Sequence, residues 1–227
     1  MSKHLRLQSA RSEAKNALER HLKMLDEVLD HSVTRNVDKD KFLYLMAIPV
    51  IYAAWEGFFR ISCSICLRRK CQLGKKSKRY EFDYSTLWLQ KESFVTSFLD
   101  TLVSGMSLGR AQKKLNQGQF SAISKFSRSL ADWHERPLNH LADFDKLVMT
   151  HSNVNKEVAQ LNAAIIGVDV AEVDFSRIDE LLNRRNEIAH GGIVTYPTEN
   201  TVIDLIRYTK KLITGFNGCI GRWLEIS

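Results

Sequence analysis

Apolar residues recur along this chain at intervals of three and four, the period of an amphipathic helix. Leu18, Leu22, Leu25 and Leu29 form such a stripe between charged residues and predict a first long helix over 5–29. Residues 41–71 are apolar almost all round, which predicts a second helix buried in a core and bent at Pro49. A third helix is expected over 86–104, from Leu87, Phe94, Phe98 and Leu102, and weaker helical character runs through 109–134 until Pro137 breaks it. A short helix over 153–166 stops at Gly167, and a last one runs from about Thr198 to Leu224 behind Pro197. Between them lies a helix starting at Ser176, where Ser176 and Asp179 fit a capping box, and ending at Gly191-Gly192. Only "VDVAEVDF" has a strand-like pattern, and its surroundings make it a loop. The pattern predicts an all-α bundle.

Two segments qualify that picture. "FLYLMAIPVIYAAWEGFFRISCSICL", residues 42–67, has the length of a membrane span, but Glu56, Arg60 and Pro49 interrupt it, so a core helix is the preferred reading. In the last helix Gly215, Gly218 and Gly221 recur every three residues; they weaken the helix and permit another backbone to approach closely.

With 227 residues, 44% of them hydrophobic and 26% charged, the chain has room for one generous core. The opening residues lack the apolar core of a secretory signal, and the four cysteines do not form a secreted disulfide framework, so a cytoplasmic location is expected. The net charge of +7 is local: Gly57 to Tyr80 holds no acid but carries Arg60, Arg68, Arg69, Lys70, Lys75, Lys76, Lys78 and Arg79. With these eight cations set aside the remainder stands near −1. Such a stretch is either a polyanion site, with Arg68, Arg69, Lys75 and Lys76 as RNA-binding candidates, or a solvated loop after a helix.

Candidate chemistry centres on "LLNRRNEIAHGG", residues 181–192. On a helical wheel Phe175, Ile178, Leu181, Leu182, Ile188 and Ala189 share one sector, and Arg185 falls near its centre. A buried guanidinium needs an acceptor. Glu56, on the all-apolar second helix, is one choice, and a plain structural ion pair between them is one reading; Arg60, one turn on, is the local partner also open to Glu56. His190 closes the last turn, where a histidine also suits the negative end of the helix dipole. Cys63, Cys66 and Cys71, with Cys219 as a conceivable fourth ligand, have metal-like spacing, but cysteine on an apolar helix is commonly a small hydrophobe. No metal or other cofactor is expected. "GMSLGR", residues 105–110, lacks the lysine of a phosphate loop, and His134 and His140 have no pattern around them.

"RRNEIAHGG" resembles the signature of the HEPN superfamily, with Arg185, Asn186, His190 and Gly191 in register. "YAAWEGFF", residues 52–59, is similar to the first-helix motif of its bacterial MAE-type branch, and "HSNVNKEV", residues 151–158, is similar to the run preceding the last motif there. The likeness spans roughly 40–220, with 72–150 a less matched helical insertion in a single domain of residues 1–227. It implies a helical homodimer and a metal-independent endoribonuclease of toxin–antitoxin, abortive-infection or phage-defence systems, with an antitoxin or defence protein as partner. Arg185, His190, Asn186 and Glu56 would be the catalytic set, with Arg184 an added RNA contact that leaves the arginine register open. The same family also includes non-catalytic modules that bind RNA or a protein, and a structural bundle is a further alternative.

Overall fold

A computed structural model of the chain describes residues 5–71, 75–106, 117–137, 144–150, 153–191 and 195–226. The described residues include eight α-helices: α1 (Leu7–Leu29), α2 (Lys41–Lys70), α3 (Phe82–Leu89), α4 (Ser93–Met106), α5 (Gln117–His134), α6 (Lys156–Ile166), α7 (Ile178–Ala189) and α8 (Glu199–Ile226). The fold is all-α; among the described residues the β-type pairing is one isolated bridge, Lys76 with Pro137. The chain divides into two compact units, His4–Lys70 with Phe144–Ser227, and Cys71–Asp143.

In the larger unit α2 is the central element, packed by α1, α8, α7 and α6. It runs antiparallel to α1, with Arg68 of α2 bonded to Glu13 and Gly57 set against His21. It runs alongside α8 in the same direction, since Tyr44 donates to Glu199 and Trp55, Phe58 and Phe59 surround Phe216. These aromatic rings are fully buried, and each removes a large apolar area from water. Pro49 does not end α2, which continues as helix on both sides of it. α2 is also the one described helix long and apolar enough to cross a membrane, and half of its most apolar window is buried inside this unit.

The buried stripe of α1 differs from the leucine stripe the sequence suggests. It consists of Ala10, Ala14, Ala17, His21 and Leu25, with Leu18, Leu22 and Leu29 only half-buried at its edges. Small residues win the centre because α1 lies close to α2: a Cβ on Gly57 would stand 3.0 Å from His21 Nε2. The His21 ring is pinned in turn, its Nδ1 donating to the Ala17 carbonyl at 2.7 Å.

Local signals set the ends of the shorter helices. Asn155 caps α6 by accepting from the Val158 amide at 2.9 Å, and Gly167 closes it in the left-handed region at φ 87°. The residues of "VDVAEVDF" are loop, as their pattern indicates. α7 begins at Ile178, and no capping box forms. Ser176 instead turns back on Asp174, whose carboxylate accepts from the Ser176 amide at 2.9 Å and lies below its ordinary range because of Ser176.

In the smaller unit the single helix expected over 86–104 is two, α3 and α4, separated by a turn at residues 90–92. The reason is that its apolar residues serve different clusters. Tyr84, Leu87 and Trp88 of α3 are buried, whereas Phe94 and Phe98 of α4 pack on Phe126 of α5, the latter pair stacked at 4.4 Å. Most of "GMSLGR" and all of His140 lie outside the described residues.

Candidate nucleic-acid cleavage site

α7 and α2 together place Arg185 over Tyr52. Asp179 and Glu180 occupy the first turn of α7, where the helix dipole favours acids. At its other end His190 is the first residue beyond the helix, and Gly191 takes φ 66°, a conformation that glycine adopts without Cβ strain. Ile178, Leu181 and Leu182 anchor α7 in the core, but Ile188 is half-buried and Ala189 exposed, so the apolar sector ends sooner than the wheel suggests. Arg185 and Asn186 are therefore half-buried at the rim, and His190 is exposed.

The guanidinium of Arg185 lies over the ring of Tyr52, its central carbon 5.5 Å from the ring centroid. Its Nη1 donates to Asn186 Oδ1 at 2.9 Å. Among the described residues no carboxylate pairs with it. Of the two partners open to Glu56, the structure takes the local one, one turn along its own helix: Arg60 Nη2 donates to Glu56 Oε1 at 3.4 Å, and no Glu56–Arg185 pair forms. Glu56 and Arg185 still share an electrostatic neighbourhood, as both act on the Tyr52 phenol. Burial pushes that phenol up, Glu56 adds to the rise, and Arg185 and the Val154 amide oppose it.

Arg184 is differently placed. Its Nε donates to Glu180 Oε1 at 3.1 Å, and Arg177 holds the other oxygen of that carboxylate at 2.9 Å. Arg177, then its own burial cost, then Arg184 set the Glu180 acidity, which is lowered overall. Of the two neighbouring arginines, Arg185 is the one without an acid. His190 makes no side-chain hydrogen bond among the described residues, and none of them links it to Arg185 within one chain.

The basic stretch does not form a set of unengaged cations. Arg60 is bonded to Glu56, Arg68 to Glu13, and Lys70 to the Ile166 carbonyl at 2.9 Å. Lys76 and Lys78 share Glu135, whose carboxyl these two lysines hold down at about 2, and Lys75 sits 4.7 Å from the Tyr80 ring centroid. Arg69 is half-buried. The stretch is also split, Arg68 and Arg69 belonging to the larger unit and Lys75 and Lys76 to the smaller.

The four cysteines are buried, and burial pushes the thiols of Cys63, Cys66 and Cys219 up, the behaviour of small core hydrophobes. Among the described residues no three His, Cys, Asp or Glu side chains cluster as a metal-binding group. His134 is half-buried beside Trp133, 5.5 Å between ring centroids.

Sequence reasoning overlooked Tyr52. The signal was available: it stands four residues before Glu56 inside "YAAWEGFF", on the same face of α2.

The RiboL-PSP-HEPN family matches residues 9–222, nearly the whole length, and the chain belongs to it. No curated protein and no solved structure matches the chain.

Proposed function

We propose that the protein is a metal-independent endoribonuclease, acting in the cytoplasm as a homodimer within a toxin–antitoxin or antiviral defence system. Family membership supports an RNA-directed reading, and one observation carries the rest. Arg185 is a half-exposed guanidinium that has a ring face and an amide for neighbours where a structural arginine would have an acid. That arrangement leaves N–H donors for phosphate oxygens, which arginine can hold in pairs.

The reaction needs no protein nucleophile. The ribose 2′-hydroxyl attacks the adjacent phosphorus, one histidine takes its proton, and a second donates a proton to the departing 5′-oxygen. The products are a 2′,3′-cyclic phosphate and a 5′-hydroxyl. Arg185 steadies the negative charge on the non-bridging oxygens, and Asn186 orients the guanidinium. Glu56 stays close enough to shape the field at Tyr52. Arg68, Arg69, Lys75, Lys76 and Arg184 would contact the RNA backbone, each exchanging its present partner for phosphate.

One chain offers one motif histidine, so the two proton transfers call for two chains around one phosphate. α2 offers a face for that contact. Phe42, Leu43 and Met46 are 56%, 38% and 43% exposed, and their face continues through exposed Ala53 toward Glu56, beside Tyr52. The glycines of α8 are a second open surface, since a Cβ on Gly215, Gly218 or Gly221 would meet nothing within 4 Å. The MAE-like motif at 52–59 includes the same Tyr52 and Glu56, so this branch likeness falls on the site.

A non-catalytic module that binds RNA or an antitoxin is the second reading, favoured by the exposed His190, which among the described residues makes no side-chain hydrogen bond to Arg185. The two readings part on product chemistry. An end-labelled RNA incubated with the purified protein in EDTA should yield 2′,3′-cyclic phosphate termini; intact RNA bound in a stable complex would favour the second reading.

A further inference from the structure

The Tyr52 ring is buried and held at its hydroxyl. It is 1% exposed, and its hydroxyl accepts a hydrogen bond from the Val154 amide at 2.6 Å. The carbonyl of the same Val154 accepts from Trp55 Nε1 at 3.1 Å, so one turn of α2 holds both polar groups of the residue just before the α6 cap. Trp55 is itself locked among Phe59, Phe175 and Phe216. The surface beneath Arg185 is therefore an immobile ring set in the most densely aromatic part of the core.

An aromatic floor does something for a cation that a carboxylate does not. A carboxylate would take the guanidinium's in-plane N–H groups and cancel its charge, and an incoming phosphate would have to displace it. A ring attracts through its face and leaves those donors pointing elsewhere. Among the described residues Arg185 spends one donor, Nη1, on Asn186. A phenol is neutral at physiological pH and burial only raises its pKa further, so the floor is neutral and carries no charge of its own beneath the cation. Glu56, the acid that could have competed, is turned to Arg60.

We infer that Tyr52 is a positioning residue, a rigid aromatic platform that holds the Arg185 guanidinium with its donor edge free for a phosphate. This rests on the ribonuclease reading for the purpose of the pose, though not for the pose itself. The ring face is the working part, and the hydroxyl serves to anchor the ring to Val154.

The test pairs a direct readout of the arginine with a readout of the reaction. Arg185 Nε–Hε is assigned by NMR from its disappearance in Arg185→Lys. The expected signal is sharp and ring-current shifted in wild type and in Tyr52→Phe, and moves to the position of a free arginine in Tyr52→Leu. In cleavage assays Tyr52→Leu should lower kcat by about tenfold or more with little change in KM. Tyr52→Phe should retain kcat while melting at a lower temperature, which a purely structural role would not separate. An Arg185 signal at the free-arginine position in wild type overturns the platform without need of any variant, and so does an unchanged signal in Tyr52→Leu. A shifted wild-type signal in a protein that leaves RNA intact would instead overturn the ribonuclease reading and leave the platform standing.

Discussion

Arg185 lies over Tyr52, and the nearby acid, Glu56, is bonded to Arg60 instead. That division has a measurable consequence. Arg60 is 49% exposed and Glu56 21%, and the 3.4 Å contact is long, so the pair contributes little, about 0.2–1 kcal/mol for i,i+4 pairs open to solvent on one side. Glu56→Gln should leave the melting temperature nearly unchanged and cleavage within a few-fold of wild type. A collapse of folding or activity in Glu56→Gln would show that the carboxylate holds Arg185 after all.

The close approach of α1 to α2 depends on Gly57 facing His21. A larger residue there must displace a ring pinned to the Ala17 carbonyl. Gly57→Val should destabilise the protein by about 1–3 kcal/mol, the usual cost of overpacking. His21→Ala introduced with it should recover part of that loss in a denaturant titration. Simple additivity of the two changes would mean that they do not meet.

Glu135 neutralises part of the charge that RNA would use. Glu135→Gln should release Lys76 and Lys78 and steepen the salt dependence of RNA binding. Replacing Arg68, Arg69, Lys75 and Lys76 by Gln should flatten it, by about 0.7–0.9 in log–log slope for each phosphate that is no longer neutralised. Equal slopes in all three proteins would remove RNA from this stretch. The same carboxylate gives a pH signature. Its pKa falls from 4.5 to about 2 in the fold, so its stabilising effect is present above 4.5 and disappears as pH falls toward 2. Thermal melts across that window should show a decline that is reduced in Glu135→Gln; an undiminished decline would mean that other acids cause it.

The dimer proposal makes its own demand on α2. Met46→Glu places a charge on the exposed apolar face of α2 and should convert a dimer into monomers by sedimentation, with cleavage falling in step. Tagged heterodimers of wild type with His190→Ala add a second test. A shared site predicts near-complete loss of cleavage, whereas half the wild-type activity would show that each protomer works alone.

What the sequence revealed was mostly local or periodic. The C-terminal end of α6 was legible because Gly167 acts within one turn of chain, whereas the Asn155 cap starts the helix at Lys156, three residues later than the pattern suggests; α2 was legible because few soluble helices are apolar all round. The site itself was half legible. Arg185 stood out as a cation in an apolar stripe, but its partner did not, because the choice between Glu56 and Tyr52 depends on Arg60 taking the acid first. Arg184 and Arg185 could not be told apart until Glu180 was seen to hold one of them. Leu87 and Phe94 kept helical register across a break, since periodicity cannot see that Trp88 and Phe126 draw them into different clusters. The leucines of α1 misled for a related reason: the approach of α1 to α2 at Gly57 favours alanines where the two helices meet.

The central claim is that Arg185 and His190 cut RNA, and it is tested most directly by purifying wild type, Arg185→Ala and His190→Ala and measuring RNA cleavage beside thermal melts. Both side chains lie at the rim or outside the core, so both variants should fold, His190→Ala within about 0.5 kcal/mol of wild type and Arg185→Ala about 1 kcal/mol below it for the lost contact with the Tyr52 ring. The expected result is cleavage by the wild type alone. Full cleavage by either folded variant would contradict the assignment.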